Sequence, residues 1–277
     1  MAPTFVVVPQ WQGSISPRAM RLVDGAAAIQ GDLPFAATRL VDVPVEAGDA
    51  LDTGVHRFSA IQQVRERHTA VLKDTADWAL SIGGDCGIAL TAVEHAARTH
   101  PGDLAVVWFD AHPDLHTPET SPSGGFCGMV LRAISGEGPA ELELAATSSV
   151  SLDRVVLAGI RDVDDAEDVL LQERGLVSVS CSELTDPADL VAAVAAIGAK
   201  HVFVHIDLDV LDPSALGGLN DLIPFGLSVA ELGGAITALR AEFTLAGATI
   251  TGFAPASPEA ATDDLPSILR IIGALTR

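Results

Sequence analysis

Residues 104–114 read Leu-Ala-Val-Val-Trp-Phe-Asp-Ala-His-Pro-Asp, six apolar positions running without a break into three metal-capable side chains. A strand with one wet face alternates polar and apolar residues. This one does not, so it is read as covered on both faces, as in a parallel sheet flanked by helices. Residues 201–213, His-Val-Phe-Val-His-Ile-Asp-Leu-Asp-Val-Leu-Asp-Pro, repeat the pattern. Outward from these two, β-rich runs fall at Thr4–Val8, Arg39–Val43, Trp78–Ile82, Arg154–Ala158, Val177–Ser180 and Ala248–Gly252. Helical patterns separate them at Phe58–Lys73, Gly87–Arg98, Asp165–Glu173, Ala188–Ile197, Ser228–Glu242 and Leu265–Leu275. The alternation predicts an α/β fold, three-layer α/β/α, with a central, mainly parallel sheet of about eight strands. No long Pro/Ser/Gly linker and no internal repeat divides the chain, so residues 1–277 are read as a single domain.

The chain carries 16 Lys+Arg against 37 Asp+Glu, a formal charge of −21. Phosphate backbones are bound by surplus Lys and Arg, which argues against a nucleic-acid partner and against an anionic membrane surface. Hydrophobic residues make up 48% of the chain and charged residues 19%, which excludes disorder. No apolar run reaches the roughly 18 residues of a membrane-crossing helix. The N-terminus, Met1-Ala2-Pro3-Thr4-Phe5, has no basic segment ahead of an apolar one. Three cysteines, Cys86, Cys127 and Cys181, do not form a disulfide framework. Together these features predict a reducing, cytoplasmic setting.

Ligands of open α/β sheets bind beyond the carboxyl ends of the strands. Four such ends here read Gly83-Gly84-Asp85-Cys86, Asp110-Ala111-His112-Pro113-Asp114, Gly159-Ile160-Arg161-Asp162-Val163-Asp164 and Asp207-Leu208-Asp209-Val210-Leu211-Asp212-Pro213. Turns use Asp and Gly for their own reasons. Acids at alternate positions are a different pattern. Asp110-x-His112-x-Asp114 and Asp207-x-Asp209 each point side chains to one side of an extended segment. Gathered carboxylates raise one another's pKa unless cations neutralise them. Two divalent ions remove that cost, with one carboxylate bridging and an imidazole capping. Such a pair can share a water and supply hydroxide at neutral pH.

On these motifs, in this order and over nearly the whole chain, the sequence resembles the ureohydrolase family of arginases, agmatinases and their relatives. The resemblance implies an arginase-like fold with two Mn2+ ions that hydrolyse a guanidino group through a bridging hydroxide. By position it implies Cys86, Asp110, Asp114 and Asp207 around one ion. It implies Asp110, His112, Asp207 and Asp209 around the other, with Asp110 and Asp207 shared. Asp209 is the catalytic residue it implies, holding or relaying the proton of the hydroxide. The segment Gly159–Asp164 matches the arginase segment whose last Asp receives the substrate's α-ammonium, so Asp164 is expected to bind an amino-acid head. A plain helix N-cap is the alternative for Asp164. Ser123, in Ser123-Gly124, keeps part of the α-carboxylate site.

Four departures from the arginase pattern carry as much information. The first metal motif ends in Cys86 where the family has His; a thiolate is softer, adds negative charge and shifts preference away from manganese. A buried, inert Cys86 with the ligand lost is the alternative. The family's proton-shuttling His aligns with Cys127, and a thiol titrating near 8.5 is a poor general acid at neutral pH. The family's guanidinium-binding Glu is missing from Pro255-Ala256-Ser257-Pro258, which leaves Glu259 and Asp221 as neighbouring candidates. Two carboxylate-binding Asn positions become His116 and Gly125. His116 can still donate a hydrogen bond to a carboxylate; a solvated loop residue is the other reading.

These losses share one physical reading. An N-hydroxyguanidine is less basic than a guanidine, can bind neutral and has less use for an ion-paired Glu. With Asp164 retained, the sequence resembles the branch of the family that serves D-cycloserine biosynthesis and cleaves Nω-hydroxy-L-arginine to hydroxyurea and L-ornithine. An ordinary arginase or other guanidino-acid hydrolase, a metal-binding homologue without turnover, and a single-zinc deacetylase on the same fold are the rivals. The full acidic set argues for two ions over one. The expected partner is a small amino-acid substrate with a guanidino or hydroxyguanidino group. A monomer is expected over a trimer or hexamer, because only 22 residues follow Pro255 where arginases carry an extension. His201 and His205 are read as core or strand-edge residues, and His56, His68, His95, His100 and Cys181 are given no role.

Overall fold

The computed structural model describes residues 3–75 and 78–277. Its eight strands are β1 Thr4–Val7, β2 Thr38–Leu40, β3 Ala79–Ile82, β4 Leu104–Phe109, β5 Val155–Ala158, β6 Val177–Val179, β7 His201–Asp207 and β8 Thr244–Thr251. They form one sheet in the order β2-β1-β3-β8-β7-β4-β5-β6, and every pairing is parallel. The helices are α1 Arg21–Gly31, α2 Phe58–Lys73, α3 Ala89–Thr99, α4 Val130–Ile134, α5 Asp165–Arg174, α6 Ala188–Ile197, α7 Val229–Glu242 and α8 Pro258–Thr276.

The unbroken apolar run of β4 is buried at all six positions. Its side chains part by parity: Ala105, Val107 and Phe109 join one core, and Leu104, Val106 and Trp108 the other. The first core takes the inner faces of α1, α6, α7 and α8, and the second those of α2, α3 and α4. This is the three-layer arrangement expected, and it explains why the central strands do not alternate. In α8 the buried Ile268, Ile271, Ile272 and Leu275 recur at helical spacing on one stripe. Ser257 accepts from the Ala260 N–H and Pro258 occupies the first turn, which fixes where that helix starts.

Several elements differ from the sequence expectation: α4 was not among the expected helices, and β2 ends at Leu40 instead of Val43. Strand β8 begins at Thr244, four residues before Ala248, because the pairing with β7 shifts register between Val202 and Phe203. There Gly247 leaves room for the Phe203 ring: a Cβ would lie 2.8 Å from it. Helix α8 begins two turns before Leu265, on an acidic start that carries no apolar stripe. Helix α1 gave no signal, since Met20 supplies no side-chain cap and Gly25 sits inside it. Among the described residues no helix is long and apolar enough to cross a membrane.

A buried histidine makes the fold acid-sensitive. His68 of α2 is fully buried with Nε2 3.0 Å from Ser81 Oγ on β3. Burial, with the nearby His95, pushes its pKa down from 6.5 to about 3. The unfolded chain takes up this proton near pH 6.5 and the folded chain does not. The stability held by the neutral ring is therefore intact above that pH and falls toward pH 3, by about 1.4 kcal/mol per pH unit. Denaturant unfolding of wild type and His68→Gln between pH 7.5 and 4.5 checks this. The variant is expected to show a shallower loss of stability; parallel curves would refute the assignment.

Candidate metal centre and substrate cleft

All strands run the same way, so the carboxyl ends of β3, β8, β7, β4 and β5 gather at one edge. After β3 the chain turns at Gly84, φ +20°, where a Cβ would lie 1.9 Å from the Gln10 carbonyl oxygen. Asp85 then locks the loop, accepting from the Gly13 N–H at 2.9 Å, the Gly87 N–H at 2.9 Å and Gln10 Nε2 at 2.8 Å. This leaves Cys86 facing inward. Its thiol donates to Asp207 Oδ2 at 2.9 Å, and Sγ lies 3.8 Å from Asp110 Oδ2.

Asp110, at the end of β4, accepts from the His112 N–H through Oδ1 at 2.7 Å. His112 Nδ1 lies 3.3 Å from that same oxygen and 3.1 Å from Asp209 Oδ2. Asp209 Oδ1 accepts from the Ala111 N–H at 3.0 Å, which ties the β4 and β7 loops together. Asp207 accepts from the Asp209 N–H and from Thr251 Oγ1. A Cβ at Gly252 would lie 2.3 Å from Asp207 Oδ1, so only glycine leaves that carboxylate its place. Asp114 holds a left-handed backbone, φ +54°, uncommon for a residue with a side chain.

Asp110, Asp114, Asp207 and Asp209 are all buried. Burial pushes Asp114 well above the ordinary carboxylate range, and the charge of Asp110 adds to it. Burial and the charges of Asp209 and Asp110 do the same to Asp207. Asp209 is raised to about 6 by burial and by Asp110. Burial also raises the Cys86 thiol, as do the charges of Asp207, Asp114 and Asp110. Asp110 goes the other way: burial opposes its charge, but the hydrogen bond from His112 and the nearby His205 ring hold it low. Asp114 Oδ2 and His205 Nε2 are buried and find no hydrogen-bond partner. Closely packed acids with orphaned donor atoms fit divalent cations, which would neutralise the carboxylates and occupy the free lone pairs.

A cavity of about 550 Å³ opens from this cluster. Every site residue expected from the sequence lines it: Cys86, Asp110, His112, Asp114, His116, Ser123, Asp164, Asp207 and Asp209. Asp164 caps a helix and also lines the cavity. Its Oδ1 caps α5, accepting from the Ala166 and Glu167 N–H groups, while Oδ2 meets His116 Nε2 at 2.8 Å. His116 is 7% exposed, so it is not a solvated loop residue. Ser123 Oγ accepts from the Gly125 N–H. Cys127 lines the cavity as a neutral thiol, its pKa raised by burial and by Asp114. Of the two acids near the missing Glu, Asp221 lines the cavity, and Glu259, in the exposed first turn of α8, is not among its lining residues.

Sequence reasoning passed over four residues here. Glu167 lies beside His116 and completes the capping box with Asp164, a three-residue spacing that was legible. Asp85 was quoted only as part of a motif. Arg18 donates to the Asn220 carbonyl at the rim and carried no signal. His205 was assigned to the core; it is there, but its ring faces Asp110.

Residues 14–267 match the profile of the Arginase family. The chain is 28% identical over 211 residues to an arginase of Staphylococcus aureus (strain MRSA252), covering 73% of this chain and 68% of that protein. It is 29% identical over 274 residues to an N(omega)-hydroxy-L-arginine amidinohydrolase of Streptomyces lavendulae, covering 94% and 93%. The crystal structure of Entamoeba histolytica arginase in complex with L-ornithine superposes with a TM-score of 0.85 at 21% identity, covering 99% and 98%.

Proposed function

The chain belongs to the arginase family, and is accordingly a hydrolase of amidine carbon–nitrogen bonds; from that premise we propose that it cleaves Nω-hydroxy-L-arginine to hydroxyurea and L-ornithine with two Mn2+ ions. One observation carries the choice of substrate. The cleft keeps an amino-acid-binding end at Asp164, yet offers a neutral thiol at Cys127 and no carboxylate from residues 255–259. That combination suits a neutral hydroxyguanidine better than a guanidinium. Similarity to the Streptomyces lavendulae protein over nearly the full length of both chains supports it.

Cys86, Asp110, Asp114 and Asp207 would hold one ion, and Asp110, His112, Asp207 and Asp209 the other. Bound there, the pair supplies Lewis acidity and a water acidic enough to deprotonate near neutral pH. The protein's own side chains do the rest. Asp209 would hold or relay a proton of that water. Asp164 receives the α-ammonium on Oδ2, with its other oxygen pinned by the helix. His116, with Nε2 on Asp164 Oδ2, would position that carboxylate, and Ser123 would face the α-carboxylate. Water would add across the bond, its oxygen joining the hydroxyguanidino carbon as the carbon–Nδ bond breaks and a proton of the water ending on the ornithine amine. Product analysis tests this: equal amounts of L-ornithine and hydroxyurea are expected, and no consumption of the substrate would overturn it. An ordinary arginase is the second reading, favoured by Asp221 in the cleft as a carboxylate for a guanidinium.

Asp164→Asn tests the head-group assignment. Asn caps a helix as well as Asp, so α5 is retained while the charge is lost. A hydrogen bond to a charged group contributes about 1.5–3 kcal/mol, so KM is expected to rise roughly 10- to 150-fold with kcat changed less. An unchanged KM would remove Asp164 from the substrate site.

A further inference from the structure

We propose that His205 is part of the metal centre, its Nε2 supplying the ion beside Cys86 and Asp110 with an imidazole that position 86 lacks; the inference rests on the two-ion reading above. His205 stands two residues before Asp207 on β7 and so shares its face of the sheet, one rung deeper. The residue is fully buried, and Nε2 has no hydrogen-bond partner. The ring is gripped from both neighbouring strands. Trp108, its register partner on β4, stacks on it with ring centroids 3.6 Å apart and planes 22° apart. Thr249, its register partner on β8, meets Nδ1 through Oγ1 at 2.7 Å. With that hydroxyl accepting from Nδ1, the proton sits at Nδ1 and the lone pair of Nε2 is bare.

That lone pair faces the centre. Nε2 lies 3.7 Å from Asp110 Oδ2, too far for a hydrogen bond, and Cys86 Sγ lies 3.8 Å from the same oxygen. Sγ, the carboxylate oxygen and Nε2 all fall within 4.8 Å of one another. Metal bonds of roughly 2.0–2.3 Å set neighbouring donor atoms on one ion about 3.3–3.8 Å apart, which is the spacing seen. The chemistry agrees. Cysteine stops short of where a histidine ring would reach from position 86. His205 supplies a neutral nitrogen, a ligand that adds no further negative charge to a thiolate among carboxylates.

The experiment uses the full chain, stripped of metal, titrated with Mn2+ by calorimetry and then measured by X-ray absorption. Wild type is expected to bind two ions with outer-shell scattering from two imidazoles, His112 and His205. His205→Phe keeps the stack on Trp108 and is expected to show one imidazole and at least about 10-fold weaker binding of one ion. Thr249→Val leaves the ring in place but frees Nδ1; it is expected to weaken that ion less, and it serves if the Phe variant does not fold. Two ions with a single imidazole in wild type would overturn the proposal, as would unchanged affinity in a folded His205→Phe. A wild-type chain that takes up no ions would instead overturn the two-ion reading on which the proposal stands.

Discussion

Asp110→Asn is expected to lower kcat on Nω-hydroxy-L-arginine by at least about 10³-fold and to leave fewer than two ions per chain. Asp110 stands between the two halves of the site. Oδ1 faces His112, and Oδ2 faces Cys86 and His205. Its charge is favoured there, because His112 holds its pKa low against the effect of burial. An amide of the same shape keeps the packing and loses the charge on which both ions would rest. Lewis-acid stabilisation worth several kcal/mol corresponds to about 10³ in rate. Steady-state kinetics with metal analysis on the same sample checks this. A variant that keeps both ions and wild-type turnover would show that Asp110 does not bridge.

The second large effect concerns the substrate. L-Arginine is expected to turn over with a kcat/KM at least about 100-fold below that of Nω-hydroxy-L-arginine. A guanidinium carries a charge that a buried site must pair. The segment where arginases supply that partner instead begins α8, with Ser257 spent on capping the helix. A basic leaving amine also needs a proton. General acid help is worth about 10²–10⁴-fold, and the raised thiol of Cys127 cannot give a proton up near neutral pH. The hydroxylated group relieves the first demand; the leaving amine, the ornithine Nδ, is the same in both substrates.

The metal-capable cluster was legible because strand ends in a parallel sheet converge, so alternate acids after two strands had to meet. The apolar run 104–109 made both sheet faces predictable for the same reason. Helix α1 was not legible: Gly25 lies where a Cβ would be 2.0 Å from the Phe253 carbonyl, a long-range constraint that lowers local helix propensity. The start of β8 was hidden by a register shift that only the partner strand reveals. His205 was placed in the core, where it lies, but which residues it faces was hidden for a related cause. A histidine inside an apolar run carries no sign of which neighbour it faces, and the register that brings Trp108, Thr249 and Asp110 around it joins residues more than forty positions away. Asp164 was legible as a cap, and its second oxygen meets His116.

The most direct test of the account is L-ornithine release by the manganese-loaded chain from L-arginine and from Nω-hydroxy-L-arginine, side by side, with metal content measured in the same preparation. The account predicts two ions per chain and release from the hydroxylated substrate at a kcat/KM at least about 100-fold above that for L-arginine. Comparable or faster release from L-arginine would contradict it and would make the chain an ordinary arginase with a cysteine in its metal site.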